Sequence, residues 1–111
     1  MTTENKTTMD LTAKQVRHLK ALAHHLKPVL RIGKEDLSDQ LLEATRIELL
    51  NHELIKVKVG NNSGIGKKEA ASTLATATES TCVQLIGKTI ILYKENRKKA
   101  KDKRIHLPGT N

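Results

Sequence analysis

Aromatic residues are almost missing from this 111-residue chain: it has no Phe, no Trp and one tyrosine, Tyr93. Proteins that grip unpaired bases stack them on aromatic rings, and one ring cannot build such a platform. Cysteine is equally scarce. Cys82 stands alone, which excludes an internal disulfide, and its place in an apolar run predicts a small buried thiol rather than a nucleophile. No apolar run approaches the ~18–20 residues that cross a bilayer. The polar start, MTTENKTTMD, lacks the apolar core of a signal peptide. A monomer in the reducing cytoplasm, with no membrane partner, is the expectation. Catalytic and metal-binding sets are missing too. His24 and His25 are sequence neighbours and cannot share a helix face. His18 and His25 have no Cys or carboxylate cluster beside them, and no Ser-His-Asp or Cys-His set can be assembled. No enzyme activity, cofactor or metal is expected.

Positive charge is what the chain has in excess. The net charge is +8 and it is segregated: residues 11–34 carry six basic and no acidic side chains, residues 35–93 sum to −2, and residues 94–104 to +5. A polyanion is the partner such a distribution favours. Without rings to stack bases, a nucleic acid would have to be held through phosphates, shape and polar groups.

The hydrophobic pattern predicts an α/β domain. Residues 1–10 are polar and expected to be disordered. Asp10 or Thr12 can cap a helix running to Leu26, with Val16, Leu19, Leu22, Ala23 and Leu26 at helical spacing and Lys14, Arg17, His18, His24 and His25 on or near the opposite stripe. Pro28 ends this helix and opens a strand, Val29 to Ile32. After the corner Gly33-Lys34-Glu35-Asp36, Ser38 or Asp39 caps a second helix to about His52. Its apolar side is Leu37, Leu41, Leu42, Ala44, Thr45 and Leu49. Ile47 and Leu50 lie off that stripe, which predicts cover on a second side. Leu54 to Val59 alternates, with Ile55, Val57 and Val59 on one face and Lys56 and Lys58 on the other, as in a strand with one buried and one basic face. A loop over 60–66 leads to an Ala-rich third helix, to about Ser80, suited to close packing on a sheet. Two β-rich runs, 81–86 and 89–94, are joined by Gly87-Lys88, a II′ hairpin signal. The order α-β-α-β-α-β-β predicts a four-stranded mixed sheet with packed helices: three parallel neighbours from right-handed crossovers, and a fourth strand added by the hairpin. Residues 95–111 form a basic tail that either extends the last strand or remains an arm.

Two stretches approach a phosphate-binding P-loop and fail. A loop ending at Gly66-Lys67 needs glycine at position 61, where Asn61 stands, and Lys68 takes the place of the magnesium-binding Ser or Thr. Gly87-Lys88-Thr89 has the right ending, but Cys82 occupies the first glycine's place and the triplet joins two strands. The Gly33 corner is a better phosphate candidate. Glycine lets backbone approach an anion, the next helix offers amides at its start, and Lys34 adds a full charge.

Four blocks carry a resemblance: LTAKQVRHLKALAHHL at 11–26, KPVLRIGK at 27–34, HELIKVK at 52–58 and VQLIGKTIILY at 83–93. Together they resemble the CRM domain, named for chloroplast RNA splicing and ribosome maturation, and above all its stand-alone bacterial YhbY-like members, over about residues 11–94. The resemblance implies an RNA-binding α/β domain similar in fold to the C-terminal domain of translation initiation factor three. It also implies an association with precursors of the large ribosomal subunit, so that precursor ribosomal RNA and the ribosomal particle are the expected partners. The family's G-x-x-G loop falls on Gly33-Lys34-Glu35-Asp36, with Asp36 at the second glycine position. Expected RNA contacts are Lys14, Arg17, His18 and Lys20 on the first helix, Arg31, Gly33 and Lys34 at the corner, Lys56 and Lys58 on the strand, and Arg97, Lys98 and Lys99 in the tail. The alternative is an interaction module that docks on a ribosomal protein or assembly factor, with only general electrostatic affinity for RNA.

Overall fold

The computed structural model describes residues 11–109; the expectation for residues 1–10 lies outside the described residues. The elements are α1 (Ala13–Ala23), β1 (Pro28–Ile32), α2 (Asp39–His52), β2 (Leu54–Val59), α3 (Lys67–Thr78), β3 (Thr81–Ile86) and β4 (Thr89–Tyr93), followed by a 3₁₀ turn, Lys101–Lys103. The fold is mixed α/β, with three helices on a four-stranded mixed sheet.

The sheet order is β1-β2-β4-β3. β1 and β2 are parallel neighbours across α2, but β3 is not the third in that row. The crossover through α3 leaves one position vacant beside β2, and β4 turns back from β3 to fill it, antiparallel to both. The expectation of three adjacent parallel strands is therefore corrected. The cause is legible in composition: TIILY is apolar at four of five positions, and Ile90, Ile91, Leu92 and Tyr93 are all buried, as a strand covered on both faces must be. The hairpin turns at Gly87 with φ +56°, a left-handed angle that glycine adopts without strain.

Alternation along the strands sorts side chains into two layers. Ile55, Val57, Ile90 and Leu92 pack with Ile32, Leu49, Ala70 and Leu74 beneath α2 and α3. Leu54, Ile91, Tyr93 and Val83 pack with Leu19, Ala23 and Leu107 beneath α1, on the other face. The small Ala70 and Ala71 let α3 approach the sheet closely.

Capping sets the helix limits. Thr12 and Gln15 form a reciprocal capping box at the start of α1, with Gln15 N–H to Thr12 Oγ1 at 3.1 Å and Thr12 N–H to Gln15 Oε1 at 3.0 Å. Ser38 Oγ accepts from the Leu41 N–H at 3.1 Å to start α2. α1 ends three residues before Leu26. Leu22 and Leu26 are 39% and 37% exposed, so they are not in the core that their spacing predicts. Ile47 and Leu50 are likewise 48% and 54% exposed, and α2 has no second cover there.

Residues 95–109 fold back across the end of the sheet where β2 begins. Leu107 is buried under α1, Gln15 Nε2 donates to the Pro108 carbonyl at 3.0 Å, and Asn96 Nδ2 donates to the Leu50 carbonyl at 2.9 Å.

Candidate nucleic-acid interface

Three corners meet at one end of the sheet: Gly33–Asp36 after β1, residues 60–66 after β2, and Gly87–Lys88 between β3 and β4. The Gly60 N–H donates to the Ile32 carbonyl at 2.8 Å and the Val59 N–H to the Lys88 carbonyl at 2.7 Å. Lys88 Nζ donates to Asn61 Oδ1 at 2.8 Å. Gly60 is the pivot of this cluster: a Cβ there would lie 2.9 Å from the Ile32 carbonyl oxygen and 3.5 Å from Arg31 Nη1.

Asp36 ties two of the corners together. Its Oδ1 accepts from Ser63 Oγ at 2.9 Å and from the Gly64 N–H at 2.8 Å. Those two bonds, the Ser63 hydroxyl first, hold its carboxyl below the usual aspartate range. Its backbone closes the turn, N–H to the Gly33 carbonyl at 2.9 Å, with φ +52°. Asp36 thus adopts the left-handed angle that a second glycine would supply, and directs its charge into the neighbouring loop. Lys34 stays exposed at the tip.

Away from this end, the sheet face that carries α1 is covered only in part. Arg31 lies between Leu30 and Ile32, which pack on the α2/α3 side, so Arg31 points to the α1 side, as Lys56 and Lys58 do. Arg31 pairs in register with Lys58, and Lys58 with Thr89. Lys56 pairs with Ile91, which pairs with Gln84. Like charges in register on adjacent strands repel, and among the described residues no carboxylate lies within ion-pair distance of Arg31 or Lys58. Lys56 Nζ donates to the Leu26 carbonyl at 3.0 Å. Between this face and the end of α1 runs a groove of about 570 Å³, lined by Lys20, His24, His25, Lys56, Gln84 and Ile86.

The expected contacts divide accordingly. Arg17 and Lys20 follow at a spacing of three, on one flank of α1. Lys20 shares a groove with Lys56, Lys58 is in register with Arg31, and Arg31 adjoins Gly33 and Lys34 at the corner. Lys14 faces outward, and His18 lies on the opposite flank with Leu22. Arg97, Lys98 and Lys99 sit at the other end of the sheet, a strand length of about 20 Å away, and Lys99 Nζ is bonded to the Asn51 carbonyl at 2.9 Å. On the same side of the sheet lie His24 and His25, which the sequence pattern places near the basic stripe of α1, and Lys88, Asn61 and Gln84, which it does not assign to the interface. Sequence order separates them, and only the insertion of β4 beside β2 brings them together. No cluster of three metal ligands occurs among the described residues.

A second groove of about 510 Å³ lies on the other flank of α1, lined by Leu22, Leu26, Lys27, Val29, His52, Leu54, Ile55 and Ile105. No helix among the described residues is long and apolar enough to cross a membrane.

Comparisons with known proteins agree with the fold and extend it. The chain is 41% identical over 98 residues to the probable RNA-binding protein YqeI of Bacillus subtilis, covering 88% of this chain and 99% of that one. It is 36% identical over 98 residues to an RNA-binding protein of Haemophilus influenzae, with 88% and 95% covered. A solution structure of a hypothetical protein from Staphylococcus aureus, for which RNA binding is suggested, superposes with a TM-score of 0.72 at 41% identity, over 89% of this chain and all of that one. The model of the CRS1/YhbY (CRM) domain matches residues 11–94, and the chain belongs to that family.

Proposed function

We propose that this chain binds structured ribosomal RNA and serves in assembly of the large ribosomal subunit, by binding rather than by turnover. The observation that carries the RNA reading is the in-register pair Arg31 and Lys58, set on an open sheet face with no carboxylate among the described residues to neutralise it. Such a pair is repulsive alone and is relieved when phosphates arrive. The relatives' names, as probable RNA-binding proteins, support the same partner. The ribosomal part rests on the family resemblance of the four sequence blocks.

If Arg17, Lys20, Arg31, Lys34 and Lys58 each neutralise one phosphate, log affinity falls with log salt at a slope of about −4. Replacing Arg31 and Lys58 by Ala together reduces the magnitude of that slope by about 2 and weakens binding to any structured RNA. Replacing Lys101 and Lys103, at the far end, leaves it close to wild type. A double variant with the wild-type slope refutes the interface. Cross-linking in cells, followed by sequencing of the attached RNA, tests the ribosomal assignment: recovery of other RNA classes overturns it.

The docking-module reading has its own observation, the apolar groove with Leu22, Leu26 and Val29 exposed on its wall. Comigration with large-subunit precursors that survives ribonuclease and is lost on Leu26→Glu favours that reading.

A further inference from the structure

The groove between the end of α1 and the sheet holds two imidazoles whose protonation the RNA reading leaves unused. His24 caps α1 and His25 follows it; their rings stand 5.3 Å apart at 80° to one another, and both line the groove. Lys20 faces them from α1, Lys56 from β2, and the neutral Gln84, Ile86 and Ile91 from β3 and β4; among the described residues no Asp or Glu lines the groove. The carbonyl end of α1 also lies here, and a helix C-terminus repels a phosphate. Lys56 already commits one donor to the Leu26 carbonyl. With both rings neutral, Lys20 and Lys56 are the only full positive charges that the described residues set in the groove against that carbonyl end. With a ring protonated, the balance tips toward an anion.

We propose that His24 and His25 are proton-linked phosphate contacts, so that RNA binding at this groove takes up protons and tightens as pH falls through the imidazole range. The inference rests on the RNA-binding reading above and adds a regulation to it. The sign follows from linkage. A phosphate in the groove favours the imidazolium over the imidazole, so the complex holds more protons than the free protein, and affinity rises as protons become available. The phosphodiester groups of RNA carry a constant charge across this range, so the response belongs to the protein.

The test measures affinity for one RNA hairpin at constant ionic strength between about pH 8 and about pH 6, a span that brackets the imidazole titration. Wild type is expected to bind about sixfold tighter at the lower pH, the part of a tenfold linkage at one imidazole that falls within this span. His24→Gln/His25→Gln is expected to bind with little change across the range, while His18→Gln, on the other flank of α1, keeps the full response. Calorimetry of the wild-type protein in two buffers of different ionisation enthalpy counts the protons directly, without any variant. A pH response that survives in the double variant, or the absence of proton uptake by wild type, overturns the proposal while leaving RNA binding in place. No RNA binding at either pH overturns the RNA reading itself, and this inference with it.

Discussion

Glu53 offers the sharpest test of how the domain is held together. It is fully buried, caps α2, and adopts φ +64°. Its N–H donates to the Leu49 carbonyl at 2.8 Å, and its carbonyl accepts from the Lys94 N–H at 2.8 Å. One carboxylate oxygen accepts from the Asn96 N–H at 2.7 Å and the other from the Ile105 N–H at 2.7 Å. A single side chain thus staples both ends of residues 96–105 to the start of β2. Hydrogen bonds to a charged group contribute about 1.5–3 kcal/mol each, so two amount to about 3–6 kcal/mol. Desolvating the carboxylate offsets part of this. Glu53→Ala should therefore destabilise by about 2–4 kcal/mol, a large part of the ~5–15 kcal/mol that holds a domain folded. Glu53→Gln keeps the shape and one acceptor but sets an NH₂ against the second amide, for a loss of about 1–3 kcal/mol. Glu53→Gly loses the staple yet relaxes the left-handed backbone, and should be less damaging than Ala by about 1 kcal/mol. Urea unfolding followed by circular dichroism measures all three, and hydrogen exchange at Asn96 and Ile105 reports whether the segment opens locally. A loss below about 1 kcal/mol for Ala, or a Gln variant equal to wild type, refutes the reasoning.

Asp36→Asn keeps an acceptor for Ser63 and Gly64 and tolerates the left-handed angle, but removes a negative charge beside Lys34; RNA should bind about twofold tighter at low salt, with the gain fading as salt screens it. Weaker binding by this variant would mean that the carboxylate, not the loop geometry, serves the RNA. Because its two donors hold the Asp36 carboxyl below the usual range, its tie to Ser63 and Gly64 should persist at neutral pH and loosen only as pH falls through that lowered value, visible as faster exchange of the Gly64 amide. Tyr93, the lone aromatic, is buried, and burial with Glu53 and Glu95 nearby pushes its hydroxyl up to about 12. Ultraviolet absorbance should show phenolate forming near that value in the folded protein and near ~10 in denaturant. The same difference means that stability declines as pH rises from ~10 toward about 12, since the unfolded chain ionises first. A single titration near ~10 without unfolding contradicts the burial.

Periodicity was enough to place the three helices and four strands in order, though it carried α1 a turn too far, to Leu26. It could not reveal the sheet order. The parallel direction of β1, β2 and β3 follows from the crossovers, but whether β4 pairs outside β3 or slips in beside β2 depends on which position most needs a strand apolar on both faces. The uniform apolarity of residues 90–93 was the clue. Glu53 and Gln15 were invisible for a related reason. Each is a polar residue buried only because residues 95–109 return to meet it, and no local pattern encodes that return. The basic tail was legible as charge but not as structure: Arg97, Lys98 and Lys99 lie at the wrong end to join Lys34 on one short RNA contact.

The scarcity of rings gains force once the sheet is seen. Tyr93 is buried beneath α1, so among the described residues the face between helix and corner offers cations, histidines, Gln84, Asn61, Thr89 and small or aliphatic side chains, and no large aromatic ring. Such a face can count phosphates and sense their spacing, but has little with which to tell one base from another. Specificity for a particular RNA must then come from where rigid RNA structure places its phosphates. The in-register strands and the Asp36 tie between two corners hold the protein's charges in fixed relation to one another. A single-stranded RNA of the same length, free to rearrange, has to be ordered on binding and should bind more weakly than a folded one. Equal affinity for both would mean that the fixed arrangement of Arg31, Lys58 and Lys34 plays no part in recognition.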